Sequence, residues 1–212
     1  MRLRHVTTML HSHPYLEDFV TFSETQLRMY EISANPVFKQ NFKDTLDFIT
    51  KEFLDNDKLL TRAKFTSDHE LYPNLEYSFF DSSFKSMVGT YLILMKRAHI
   101  LFSERDYIEA IKNLEDKISQ MILKFNPIGG GEALRALTYP LGAYRTIKVP
   151  SNWIQNDKFQ RFLPYFLNRF VIDYTTEENE WQICNFEACE LKGHSIDEFI
   201  SALTPAQEAI KE

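Results

Sequence analysis

Apolar residues recur along this chain at two spacings, and the change from one to the other divides it. Up to residue 126 the spacing is helical. Leu16, Phe19, Val20, Leu27 and Tyr30 form one stripe ending near Ser33. His13 or Ser12 can cap that helix, with Pro14 in the first turn, where a missing N–H costs nothing. Asn35-Pro36 repeats the start signal, and Val37, Phe38, Phe42, Leu46, Ile49 and Phe53 make a second helical face that Asp55-Asn56-Asp57 closes. Residues 57–81 hold Pro73 and the aromatics Tyr72, Tyr77, Phe79 and Phe80 without a period, which predicts a long loop. From a cap at Ser82 or Ser83, the positions Phe84, Met87, Val88, Tyr91, Leu92, Met95, Ala98 and Leu101 give the buried side of a third helix ending near Phe102. Ser103 with Asp106 is a variant capping box. Ile111, Leu114, Ile118, Met121 and Phe125 then follow as a narrow seam, expected to pack against the helix over 83–102.

Asn126-Pro127 stops this helix, and "NPIGGGEALRAL" holds three of the chain's six glycines. Beyond it the pattern changes. Residues 144–150 read as a strand, and "KFQRFLPYFLNRF" as a short helix broken at Pro164. "FVIDYTTEENEWQICNFEACEL" reads as a β-hairpin about a polar turn at 175–180. Ser195 with Glu198 caps a terminal helix, and Thr204-Pro205 begins another turn. The expected fold is α+β and predominantly α-helical. A helical bundle or set of hairpins covers about 1–126, a glycine-rich joint 127–131, and a smaller α+β region 132–212, packed with the first as one domain or apart from it.

Composition narrows the function classes. With 212 residues the chain can bury roughly 70% of its unfolded surface. The 18 Phe imply a well-filled core or an apolar groove. A net charge of −6 disfavours a general nucleic-acid binder. No apolar run approaches a membrane span, and the longest, Tyr91–Met95, ends at Lys96-Arg97. The N-terminal residues lack the apolar core of a secretory signal, so the cytoplasm is expected. Cys184 and Cys189 are too few for a disulfide framework, and free thiols are expected.

Several short stretches invite chemistry. His11-Ser12-His13-Pro14 resembles the metal motif of the JAMM metalloproteases. That family continues with Ser and then Asp, where Thr21 and Glu24 stand here, and residues 1–16 contain no acid to serve as base. Zinc without its base activates water poorly. The stretch therefore reads as a polar lead into a helix, with His11 and His13 as the alternative metal ligands. "GGGEALR" could cradle a phosphate at a helix N-terminus with Arg135 as counter-charge. Glu132 would repel that anion, so the expected role is a joint. Asp173 followed by Glu190-Leu191-Lys192 resembles the acid…Glu-x-Lys core of restriction-type nucleases. If the hairpin pairs Thr175 with Glu180, Glu190 lies roughly 26 Å from the Asp173 row, too far to share an ion. Arg62 and His69 resemble the spacing of some helical RNases, but Pro73 and the polar "TSDHE" oppose a helix there. Residues 98–118 resemble one tetratricopeptide-type helix pair, with Lys117 where that family keeps a small residue.

No acid, base and nucleophile converge in the sequence. The expected function is therefore a non-catalytic protein-binding or adaptor protein using an aromatic-rich helical surface. One alternative is a metal-dependent nuclease or hydrolase using Asp173, Glu187, Glu190 and Lys192, and a second is a helical small-molecule binder. No cofactor is expected. A protein partner is, and a homodimer is compatible with the pattern.

Overall fold

The structure is a computed structural model that describes residues 15–55, 58–59, 78–81, 85–103, 106–125, 129–139, 144–167, 169–176, 180–185 and 188–203. The chain is α+β and predominantly helical. Its elements run α1 (Leu16–Ser33), α2 (Pro36–Phe53), β1 (Leu54–Asp55), β2 (Lys58–Leu59), α3 (Met87–Phe102), α4 (Asp106–Phe125) and α5 (Gly131–Thr138). They continue with β3 (Arg145–Pro150), a 3-10 turn (Ser151–Gln155), α6 (Asp157–Phe166), β4 (Phe170–Thr175), β5 (Trp181–Cys184), β6 (Cys189–Gly193) and α7 (Ile196–Leu203). Among the described residues no helix is long and apolar enough to cross a membrane.

Contacts group the chain into two compact units, Met1–Leu27 with Pro36–Pro140, and Arg28–Asn35 with Leu141–Glu212. Helix α1 therefore begins in the first and ends in the second. The glycine run expected as the joint at 127–131 falls within the first unit, because α5 packs on α3, and the division lies between Pro140 and Leu141.

Helix α3 is the core of the first unit. Every side chain from Met87 to Leu101 except Ile100 is buried, as a helix apolar on all sides requires. The sequence pattern anticipated only one buried side. Ser86, rather than Ser82 or Ser83, caps the helix, its Oγ accepting from the Gly89 N–H. The apolar run ends at Lys96, but the helix and its burial do not. The fully buried Lys96 donates from Nζ to the carbonyls of Ala136 (2.7 Å) and Tyr139 (2.9 Å) and pairs with Glu115 (2.5 Å). A cation at the C-terminal carbonyls of α5 suits the helix dipole and fills groups the helix cannot satisfy itself.

The α4 seam is borne out over its first three positions, and Met121 is half-buried. Ile111, Leu114 and Ile118 are buried, and α4 packs against α3. Helix α5, which the glycine-rich pattern concealed, crosses α3 at Gly89. A Cβ there would lie 2.7 Å from the Ala133 backbone nitrogen, so only glycine permits this approach. Asp81 holds the start of α5. Its carboxylate accepts from Ser86 N–H at 2.6 Å and from Glu132 N–H at 3.2 Å, while its own N–H donates to the Gly129 carbonyl at 2.5 Å. The candidate phosphate cradle is thus already served by a carboxylate, and Arg135 is bonded to Glu132.

The second unit is a four-stranded sheet ordered β4-β3-β5-β6, with β3 parallel to β4 and antiparallel to β5, and β5 antiparallel to β6. The expected hairpin between β4 and β5 does not form, because β3 lies between them. The hairpin is β5–β6 instead. Pro164 does not break α6, which runs on to Phe166. One sheet face, with Ile147, Val149, Ile172, Trp181 and Ile183, packs on α6 and α7. Phe199 sits at the centre of that core, its ring 5.3–5.7 Å from those of Phe166, Trp181 and Trp153. Among the described residues most aromatics therefore fill cores, with Tyr139 and Tyr165 exposed. Phe19, Phe42, Phe53, Tyr91, Phe159 and Phe199 are among the largest fully buried side chains.

Candidate functional site

The opposite face of the sheet carries a polar row. Register aligns Asp173 on β4 with Lys148 on β3, Gln182 on β5 and Lys192 on β6. The next row on that face, Val171, Thr146 and Cys184, is buried. Three strand spacings separate Asp173 from the β6 residues, about 14 Å. Asp173 and Glu190 thus lie on the two outer strands and cannot share one ion, whose ligands sit within about 2.6 Å of it. The sequence expected this separation along a strand; the structure produces it across the sheet.

Each of these carboxylates has a structural partner. Asp173 accepts from the Tyr30 hydroxyl at 2.6 Å. Glu190 accepts from Asn185 Nδ2 (2.8 Å) and Arg145 Nε (3.0 Å). Those two donors hold the Glu190 carboxyl below its ordinary range, the Asn185 bond foremost. Lys192 is exposed and pairs with no carboxylate among the described residues. Glu187, His11, His13, Arg62 and His69 lie outside the described residues. Among the described residues no three His, Cys, Asp or Glu side chains come together in a way that could hold a metal.

The two cysteines are not free thiols. Cys184 and Cys189 are register partners across the β5–β6 hairpin and are joined by a disulfide. Five positions apart in sequence they resemble no framework, but a tight turn brings them opposite. That turn is closed by Asn185 N–H to the Ala188 carbonyl (2.9 Å) and Ala188 N–H to Asn185 Oδ1 (2.7 Å), an arrangement Asn favours.

The two edges of the sheet differ. On β4 the N–H groups of Ile172 and Tyr174, alternate residues that face the same way, are taken up by α1. Ile172 donates to Glu31 Oε1 at 3.5 Å and Tyr174 to the Tyr30 hydroxyl at 3.0 Å. Tyr174 in turn donates its hydroxyl to the Glu31 carbonyl at 2.6 Å. Glu31 is wholly buried, pairs with Arg28 at 2.9 Å, and Arg28 also bonds the Leu167 carbonyl. Burial, with the neighbouring Asp173 charge and hydrogen bond, pushes the Tyr30 hydroxyl far above its ordinary range; burial, with Glu31, does the same to Tyr174. On β6, by contrast, Cys189, Glu190, Leu191 and Lys192 are all exposed.

One signal for the covered edge was present in the sequence. Ser23 and Glu31 continue the Phe19–Leu27 stripe at intervals of four, so a carboxylate stands on the apolar side of α1. Nothing in the sequence indicated the cross-strand disulfide or the order of the strands.

A cavity of about 380 Å³ also opens in this unit, lined by Trp153, Asn156, Lys158, His194, Ser195 and Asp197 among others. Its polar groups are occupied. Lys158 pairs with Asp197, Asn156 caps α6, and Ser195 caps α7 by accepting from Glu198 N–H at 3.2 Å. The backbone N–H groups of His194 and Ser195 in return hold the Glu198 carboxyl low.

No protein-family model matches the chain, and no curated protein is significantly similar to it.

Proposed function

We propose that the protein is a non-catalytic binding protein whose contact surface is the β6 side of the C-terminal sheet. This moves the surface away from the aromatic helical face that the sequence pattern pointed to, since most of the described aromatics fill cores. The observation that carries the reading is the open edge at β6, with Leu191 48% exposed, on a sheet whose other edge is covered. An exposed strand edge is a common mode of protein recognition, in which main-chain hydrogen bonds give affinity and side chains give selectivity. The engagement of Asp173 by Tyr30 and of Glu190 by Asn185 and Arg145 supports a structural role for the acids of the nuclease alternative.

The test is site-specific photocrosslinking of the full chain in its source cell. A crosslinker at position 192 should give discrete adducts that one at Gln160, an exposed position on α6, does not. Equal labelling at both positions would refute the reading. Metal-dependent cleavage of DNA or RNA that vanishes in Glu190→Ala would replace it with the nuclease alternative.

The cytoplasmic location belongs to this proposal. The Cys184–Cys189 bond weighs the other way, because such bonds persist mainly in oxidising compartments. Thiol alkylation in the source cell, before any reductant is added, decides: labelled cysteines support the cytoplasm and unlabelled ones oppose it.

A further inference from the structure

We propose that Cys184 and Cys189 form a reversible redox pair, opened at Cys189 by a cellular dithiol and closed again by a small disulfide such as oxidised glutathione, and that this bond sets the form of the β6 contact edge. The redox pair stands on the hairpin alone. Its control of the edge rests on the binding reading above.

The two cysteines of the chain are both in this bond, so oxidation has one intramolecular product. Its two halves differ in access. Cys189 is exposed, whereas Cys184 is only 5% exposed. An external thiolate therefore reaches the Cys189 sulfur, and Cys184 leaves as the thiolate. That attack forms a mixed disulfide on Cys189, and the released Cys184 takes up a proton. The second thiol of the dithiol then attacks the reductant's own sulfur in the mixed disulfide. The reductant closes its disulfide, and Cys189 is released and takes up the other proton. Two electrons and two protons pass from the dithiol to the pair. Closure by a small disulfide runs the same exchange in reverse and releases two thiols.

The site accommodates both states. The Gln182 amide oxygen lies 3.3 Å from Cys189 Sγ and 3.8 Å from Cys184 Sγ. The amide is turned that way because Gln182 Nε2 donates to Glu180 Oε1 at 2.5 Å. A disulfide sulfur carries no proton, but each thiol of the opened pair does, and one amide oxygen can accept from both. Opening also leaves the hairpin in place. The ladder pairs Trp181–Gly193, Gln182–Lys192 and Ile183–Leu191 lie on one side of the bond, and the Asn185–Ala188 turn lies on the other. The thiols thus stay opposite one another for closure. A cross-link over so short a loop adds less stability than one joining distant segments. What the bond fixes is the start of β6. Leu191 stands opposite Ile183 and Cys189 opposite Cys184, so Glu190 is the extra residue of a bulge. Asn185 and Arg145 hold the Glu190 carboxylate there. Opening the bond removes the covalent anchor of that bulge and loosens the edge beside the exposed Leu191.

The test begins with maleimide mass-tagging of the native full chain in dithiothreitol at neutral pH. Both cysteines should become labelled without denaturant, and oxidised glutathione should return the chain to the unlabelled form. Gln182→Leu should shift the equilibrium at least about threefold toward the disulfide, because the thiols lose their acceptor. Circular dichroism checks that this variant folds. A wild type that is labelled only after denaturation, or that does not reclose, overturns the redox pair, as does an equilibrium that a folded Gln182→Leu leaves unmoved. Crosslinking from position 192 in source-cell extract then tests the edge. The oxidised chain should give at least about threefold more adduct than the reduced chain, because an edge already ordered pays less to bind. The double variant Cys184→Ser with Cys189→Ser should match the reduced chain under both conditions. Equal adducts from the oxidised and reduced chains overturn control of the edge. No adducts from either would overturn the binding reading, and the labelling experiment would still decide the redox pair.

Discussion

The β4 and β6 strands bound the same sheet, yet the chain treats them in opposite ways. Along β4 the outward N–H groups of Ile172 and Tyr174 are bonded by Glu31 and Tyr30, and a buried carboxylate is stabilised there by Arg28. Along β6 the side chains are exposed from Cys189 to Lys192; the strand is held by its ladder with β5, the Cys184–Cys189 bond and surface bonds from Arg145 and Asn185 to Glu190. The difference shows that covering an edge needs more than a neighbouring helix. It needs polar side chains placed at successive outward N–H groups, and these must lie on the side of α1 that also packs inward. That requirement places a charge in the core. A buried carboxylate is tolerated only while every bond to it is kept. The covered edge should therefore be a stability feature and the open edge a contact feature.

The largest effect should come from removing the buried carboxylate. Glu31→Ala leaves Arg28 without its anion and the Ile172 N–H without its acceptor. The expected loss is about 3 kcal/mol, the low side of the range for a broken buried pair, because Arg28 is partly exposed and keeps the Leu167 carbonyl. Chemical denaturation of the full chain measures it. A loss under about 1 kcal/mol would mean that this carboxylate does not hold the β4 edge. Tyr30→Phe should cost less, about 1–2 kcal/mol, by deleting the bond to Asp173 and the acceptor for Tyr174 N–H while keeping the ring contact with Tyr174.

The pH dependence of stability should also differ between the edges. Tyr30 and Tyr174 titrate well above the ordinary tyrosine value of 10.0 in the folded chain, chiefly because burial disfavours the phenolate. A raised folded pKa means that their contribution is complete below about pH 10 and is lost as pH rises beyond it, where only the unfolded chain ionises. Glu190 is lowered from 4.5 by its bonds to Asn185 and then Arg145. Its contribution is present above about pH 4.5 and fades as pH falls through the folded pKa. Glu132 in the other unit behaves in the same sense. Burial raises it, but Arg135, Lys85 and Thr90 together carry it lower. Denaturation midpoints across both limbs should show Tyr30→Phe flattening the alkaline limb and leaving the acid limb unchanged. An alkaline limb equally steep in Tyr30→Phe would remove Tyr30 as a source of it.

Much of this fold was readable from periodicity, and the reasons for the exceptions are physical. Helices α1, α2 and α4 follow from stripes at helical spacing because one face of each is wet and the other is dry. The capping box at Ser195 and Glu198 stands as read. Helix α3 was read with one buried side because periodicity vanishes when a helix is buried all round, and because Lys96 looks like an end rather than a buried clamp on α5. Helix α5 was read as a joint because its glycines are associated with turns, whereas here Gly89 and the carboxylate of Asp81 bring it against α3. The order β4-β3-β5-β6 could not be read from adjacent segments. Neighbours in sequence suggest a hairpin, and only packing against α6 and α7 places β3 between β4 and β5. The candidate acids were legible as residues, but not their separation onto opposite edges.

The smallest effect on stability should come from the open edge. Leu191 stands opposite Ile183 across the β5–β6 ladder, yet Ile183 is 4% exposed and Leu191 is 48% exposed. Leu191→Thr keeps a residue that favours strands and loses little burial, so the full chain should keep its stability within about 0.5 kcal/mol. Binding should respond instead, since the variant removes the exposed apolar side chain of the proposed contact edge. The same variant should therefore weaken the position-192 crosslinks while leaving the denaturation midpoint unchanged. A loss of about 2 kcal/mol or more would show that Leu191 is packed within its own chain. The contrast between the edges would then fail, because both would be structural.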